Sequence, residues 1–250
     1  MAPWDGGRKY TLKLEGFPTA AAAEAAARRL VQAVLWMAIS SDAPLRLDYA
    51  SYDPFTVFER MRSDGARVEA YGEAYYHPDM VFEEITEAYA RFVKPDPKLL
   101  LSMEIFAGAR LEASDRARFL AVVSALEPLA DEQPLGGSVN RFVASCLAEL
   151  KRVPDLATDI RASLEGRVLG LRTESIRQSV KRVVRQALSD RPDAAEAIDE
   201  AYALRSQIIH TGRPADLDVD LERELRMVSG IIRQIYASLL GRSLLKQSAV

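Results

Sequence analysis

The chain has 250 residues, 48% of them hydrophobic, with 33 Lys and Arg against 36 Asp and Glu and a net charge of −3. That is the composition of a globular protein able to bury its own core, with no overall attraction to nucleic acid. Its one cysteine, Cys146, excludes an internal disulfide framework and a Cys-clustered zinc site. The best apolar run, Leu30 to Ile39, follows Arg28 and Arg29, contains Gln32 and falls short of the roughly 18 to 20 residues of a membrane helix. Trp4, Asp5 and Gly6 stand where a signal peptide would carry its basic start. A cytoplasmic chain with no membrane contact is expected.

Of the 19 aromatic residues, 14 precede residue 96, which predicts two regions with different cores. In the first, Tyr10, Leu12 and Leu14 alternate with polar residues, as in a half-buried strand. Pro18 then opens a helix over Thr19 to Ser40. Leu45, Leu47 and Tyr49 alternate again, and Arg67 to Tyr76 is a third candidate strand, able to pair at either edge. Val81, Ile85, Ala88 and Phe92 follow the spacing of a one-faced helix.

Val93 to Lys98, with two prolines, reads as a connector, and the signal beyond it is helical almost throughout. Phe119, Val122, Val123, Leu126 and Leu129 mark one helix, ended by Asp131 to Gly137; Ser138 is the expected cap of the next, which Pro154 closes. Ile176, Val180, Val183, Val184 and Ala187 form the face of another. A helix from about Pro192 should end at Gly212, and Leu221, Leu225, Val228, Ile232, Ile235 and Leu239 give the last helix a continuous seam. The fold class expected is α+β: a small α+β region over 1–95, then a mainly α-helical bundle over 96–250.

Many chemistries fail on residue inventory. There is no GxSxG elbow, GxxxxGK loop, GxGxxG turn or HExxH. Ser243 to Lys246 matches S-x-x-K without the partner motifs, two histidines in one chain do not build a multi-histidine metal site, and carboxylate Mg²⁺ sites stay open among 36 acids without being signalled; no metal or cofactor is expected. His77 lies in Tyr75-Tyr76-His77-Pro78-Asp79 and reads as a turn histidine. His210 differs through its surroundings. It occupies the last turn of its helix, where the dipole favours a cation, and imidazole is the side chain suited to acid–base work near neutrality. Ala197, Ala201, Leu204 and Ile208 make the expected core stripe of that helix, with Ile198, Tyr202, Arg205 and Ile209 beside it. Arg205 on an apolar flank needs an anionic or hydrogen-bonding partner. The five-residue offset turns Arg205 and His210 about 140° apart, so a second copy would be needed to bring two such pairs around one groove.

An R-x4-H at the end of the penultimate helix, then Gly212 and Pro214, then a long amphipathic helix resembles the HEPN superfamily. Ala125-Leu126-Glu127 within Leu120 to Leu129 is similar to the early helix of its ApeA-like branch, and the resemblance spans roughly 114–243. It implies a four-helix-type bundle, usually dimeric, often a metal-independent endoribonuclease of toxin–antitoxin or antiphage systems. Carried over by position, Arg205 and His210 line an RNA-cleaving groove, Ser206 is the polar residue after the arginine, and Glu127 is an acidic residue of unassigned role. Ser206 replaces the usual Asn, Asp or His, and Thr211 intervenes before the usual glycine.

A candidate RNA track lies in Arg161 to Arg191, which has eight basic residues and three acids; Arg177, Lys181 and Arg185 recur every four residues, with Arg182 beside them and Arg213 just past the next helix. Asp193 to Glu224 opposes it with nine acids and three basic residues. Three readings stay open: a HEPN-like ribonuclease whose first 95 residues sense a trigger or bind an antitoxin or other partner; a non-catalytic HEPN-like module binding RNA, nucleotide or protein; and a helical interaction protein in which the motif is coincidental.

Overall fold

In the computed structural model the described residues are 8–10, 14–47, 70–72, 78–92, 96–216 and 218–245. His77, Tyr49, Val68 and Lys246 lie outside them, as do most of the candidate strand Arg67 to Tyr76 and residues 93–95 of the expected connector. Helix dominates. The nine α-helices among the described residues are α1 (Ala20–Ser40), α2 (Pro78–Arg91), α3 (Pro97–Ala109), α4 (Asp115–Ser124), α5 (Gly137–Arg152), α6 (Thr158–Gly170), α7 (Ile176–Ala187), α8 (Pro192–Thr211) and α9 (Leu221–Leu240). None is long and apolar enough to cross a membrane. Strand is confined to β1 (Arg8–Tyr10), β2 (Arg46–Leu47) and β3 (Ala70–Gly72), in the antiparallel order β1-β3-β2. The third strand therefore lies in the centre of the sheet instead of at an edge: Tyr71 stands opposite both Lys9 and Arg46.

Local chemistry explains the helix bounds. Thr19 caps α1 by accepting from Ala22 N, and Ser114 caps α4 by accepting from Ala117 N. Ser175 and Gln178 form a reciprocal capping box on α7. Gly212 and Gly241 end α8 and α9 in the left-handed conformation, at φ 76° and 61°. Two boundaries differ from the sequence reading. The helix expected to run through Leu129 stops at Ser124 and resumes as a 3-10 turn over Glu127–Leu129, because Pro128 has no N–H to continue the ladder. Gly136, not Ser138, is the residue before α5.

The aromatic imbalance does not mark separate cores. Trp36 and Ile39 of α1 belong to the same buried cluster as Phe106 of α3, Phe119 of α4 and Tyr236 of α9. Two polar knots stitch it. Fully buried Tyr236 donates from its hydroxyl to the Ser102 carbonyl (2.9 Å), while Ser102 Oγ donates to the Ala125 carbonyl (2.5 Å). Phe106 meets the Tyr236 ring edge-on at 5.6 Å. In the second knot Trp36 Nε1 donates to Glu84, whose Oε1 also takes Arg242 Nη2 at 2.8 Å; the Glu84 and Arg242 side chains are 10% and 6% exposed. Arg233 of α9 donates to the end carbonyls of α1, Ile39 (2.7 Å) and Ser40 (2.8 Å), groups an isolated helix leaves unpaired.

Beyond the 3-10 turn the chain leaves the body. Leu135 N donates to the Arg172 carbonyl (2.8 Å) and Glu174 N to the Gln133 carbonyl (2.9 Å), closing a neck at the Pro134–Thr173 bridge. The α5–α6 hairpin stands on this neck. Val143 is its one buried residue, so most of its apolar surface is uncovered.

Candidate functional site

On α8 the fully buried residues are Ala194, Ala195, Ile198, Ala201 and Ile208, so the core stripe is rotated from the one expected through Ala197 and Leu204, both of which are only half-buried. Spacings of four and three from Ala194 through Ile198 and Ala201 reach Arg205 and then Ile208. Arg205 thus occupies a core-stripe position, not a flank, and its side chain is 19% exposed. A guanidinium there requires hydrogen-bond acceptors, and the α4–3-10 junction supplies them. Arg205 Nη2 lies 2.8 Å from Glu127 Oε1, and Arg205 Nε donates to Ser124 Oγ at 2.9 Å. Ser124 Oγ in turn donates a hydrogen bond to the Leu120 carbonyl (2.7 Å).

Tyr202 completes the cluster. Its hydroxyl donates to the same Glu127 Oε1 at 2.5 Å, and the Arg205 guanidinium lies 5.3 Å from the centre of its ring. Burial, and then the hydrogen bond to Glu127, push the Tyr202 phenol far above its ordinary range, so it is a neutral donor at any physiological pH. The helix break holds Glu127 in place: Ala125 C=O is anchored by Ser102, and Leu126 is buried.

His210 lies one and a half turns further on and is exposed, as are Ser206 and Ile209. The loop beyond is folded back on the helix end: Thr211 Oγ1 donates to the Gln207 and Arg213 carbonyls (2.8 and 2.7 Å), and Ala215 N donates to Gln207 Oε1 at 3.2 Å. The fold of a single chain therefore brings Arg205 and Glu127 together but keeps His210 and Ser206 on the solvent side of α8. Arg213 is exposed just past the cap.

Three residues of the candidate RNA track, Arg177, Lys181 and Arg185, face acids of α8. Arg177 Nε meets Asp199 Oδ1 at 2.5 Å, Lys181 meets Glu196 at 2.6 Å and Asp199 at 3.3 Å, and Arg185 meets Glu196 at 3.3 Å. Arg182 is held by Glu174 (3.1 Å) and by the Asp131 carbonyl (2.6 Å). The hydrogen bond from Arg177 holds the Asp199 carboxyl below its usual range, as that from Lys181 does for Glu196. The basic stripe of α7 and the acidic stretch of α8 are thus two sides of one interhelical ladder.

Ser124 and the role of Tyr202 were missed from sequence. The available signals were the i, i+3 spacing of Tyr202 with Arg205, which puts both on one face, and of Ser124 with Glu127. No protein-family model, no curated protein and no solved structure matches this chain.

Proposed function

We propose that the chain is a HEPN-like endoribonuclease that cleaves single-stranded RNA without a metal ion, its working groups being Arg205 and His210. Its first 95 residues form a small α+β region that senses a trigger or binds a partner such as an antitoxin. The pairing of Arg205 with Glu127 at 2.8 Å carries this reading. The resemblance takes one residue from the penultimate helix and the other from the early helix, and their contact is what a shared site requires. An exposed imidazole at the end of the same helix adds a proton-transfer group open to substrate.

In the reaction the RNA 2′-oxygen attacks the adjacent phosphorus as its proton passes to the His210 imidazole. The O2′–P bond forms while P–O5′ breaks, and the imidazolium returns the proton to the leaving 5′-oxygen. Arg205, held by Glu127 and Ser124, stabilises the extra negative charge of the five-coordinate phosphorus. Because Arg205 and His210 diverge on one helix, the groove is completed by the α8 end of a second copy.

A second reading, a non-catalytic module that binds RNA, nucleotide or protein, is favoured by one observation. The Arg205 charge is matched by Glu127, and Arg177, Lys181 and Arg185 are matched by Asp199 and Glu196, which leaves little unpaired positive charge for a polyanion. The deciding experiment incubates wild-type and His210→Ala protein with mixed-sequence single-stranded RNA in EDTA and analyses the 3′ ends. Fragments with 2′,3′-cyclic phosphate ends, absent with the variant, are expected. No cleavage by the folded wild-type protein refutes the ribonuclease reading and leaves the binding one.

A further inference from the structure

The α5–α6 hairpin carries a surface that a helical pair cannot cover by itself. Phe142 is 60% exposed, more than any other large hydrophobic residue among the described residues, and Val153, Ile160 and Leu171 are 43%, 50% and 49% exposed. Between the helices runs an open groove of about 740 Å³ whose apolar lining includes Cys146, Leu150, Val153, Leu164 and Val168. On α5, Phe142, Cys146 and Leu150 recur every four residues along one flank, and Val153 follows just past the helix end. Ile160, Leu164, Val168 and Leu171 likewise form one stripe from α6 into the turn beyond it.

The hairpin is built to keep this surface in shape. Arg161 of α6 donates to the Leu150 and Val153 carbonyls, each at 2.6 Å, tying the end of α5 to its partner. The neck at Pro134–Thr173 holds the base. An apolar face this exposed, on an arm tied at its neck and across its two helices, marks an interaction site, because exposed patches beyond a few hundred Å² are uncommon on monomers.

We propose that this face is covered by the same face of a second copy of the chain, so that two hairpins form an intermolecular four-helix bundle with Phe142 of each copy entering the groove of the other. Three observations select a second copy. The face offers both a knob, Phe142, and a groove, and a twofold axis makes such a surface complementary to itself. From 137 to 171 there are five basic and four acidic residues, so two hairpins meet without net repulsion while a polyanion finds little field. The size also fits. The 16 residues of α5 are about 24 Å long, and two helices side by side are about 20 Å wide. Two facing copies then cover roughly the 1,000 Å² that a specific interface must clear, before side-chain relief adds to it.

The interface is tested on the full chain by sedimentation velocity from about 1 to 100 μM, a range that brackets ordinary dimer affinities. Wild type is expected to rise from 27.7 kDa to twice that mass across the range, and Phe142→Glu and Ile160→Glu to stay at 27.7 kDa with unchanged helical circular dichroism. A wild-type monomer throughout, or a dimer that survives both substitutions, overturns the assignment; the surviving dimer leaves the Arg205–His210 site untouched. Should the variants not fold, the wild type still decides. Labelling of Cys146, the chain's single thiol and part of the groove lining, is expected to slow at least tenfold as the dimer fills, and a rate independent of protein concentration overturns the proposal.

Discussion

Arg205 and Tyr202 meet on a single oxygen, Glu127 Oε1, which the guanidinium reaches at 2.8 Å and the phenol at 2.5 Å. One carboxylate thus fixes two side chains of α8 from outside that helix. The network predicts energetic coupling: Arg205→Ala and Glu127→Ala, combined in a double-mutant cycle, should show an interaction of about 1 to 2 kcal/mol. Tyr202→Phe should cost about 1 kcal/mol through the lost hydrogen bond. Urea midpoints measure both, and strictly additive single variants would show that the contact is not formed in solution.

The knot beneath the site should be more sensitive. Tyr236→Phe removes a hydroxyl from a fully buried position and leaves the Ser102 carbonyl only the N–H of its own helix, which should cost about 1 to 2 kcal/mol and lower Tm by about 2 to 4 °C per kcal/mol in a chain of this size. Calorimetry checks it. Because Ser102 also holds Ala125, two residues from Glu127, Ser102→Ala should loosen the Arg205–Glu127 pair and shrink the coupling measured above.

Arg242 and Glu84 form the most buried ion pair given for the described residues. Arg242→Met strands a carboxylate in the core and should destabilise by about 3 to 5 kcal/mol, while the double variant Arg242→Met with Glu84→Gln should recover much of that loss. A double variant no more stable than the single one would place the cost in packing against Trp36 instead of in charge.

The α7–α8 ladder predicts an acid limb. The Asp199 and Glu196 carboxyls are lowered in the folded state by Arg177 and Lys181, so their stabilisation is present above the unfolded values near 4 and is lost as pH falls through the folded ones. Denaturant midpoints should therefore drop between about pH 4 and pH 2, and Asp199→Asn should flatten that drop. Lys181 is raised by Glu196, so its contribution persists at neutral pH and fades only as pH rises past its ordinary alkaline value. An acid limb of equal slope in Asp199→Asn protein would remove the ladder from the account.

Much of the helical half was legible because its signals are local. Thr19, Pro192 and Gly212 stand where α1 and α8 begin or end, and Leu225, Val228, Ile232 and Ile235 are buried as their spacing requires. Leu239, the last residue of that seam, is 46% exposed, because the buried face continues instead through Tyr236 to Leu240. No stripe distinguished α3, because Leu101 and Ile105 lie opposite the buried Leu99, Leu100, Met103, Phe106 and Ala107, and a helix apolar on nearly every side shows no single periodic face in its sequence. What sequence could not supply was which faces meet. The basic stripe of α7 and the acids of α8 were both visible, but whether the first binds RNA or pairs with the second depends on how two helices rotate about their axes. The same rotation set Arg205 in the core stripe and made Glu127 its partner.

Arg233 gives the molecule an order of assembly. The end of α1 relies on a side chain of α9, and Arg242, just past that helix, supplies the counter-charge to Glu84 beside Trp36. A ribosome makes α1 and α2 long before it makes either arginine. Until α9 emerges, the nascent chain lacks the Arg233 bonds to its α1 carbonyls, the counter-charge of Glu84 and part of the cover over the Trp36 indole. The end of α1 is thus completed only after the chain 193 residues beyond Ser40 has been made and folded back.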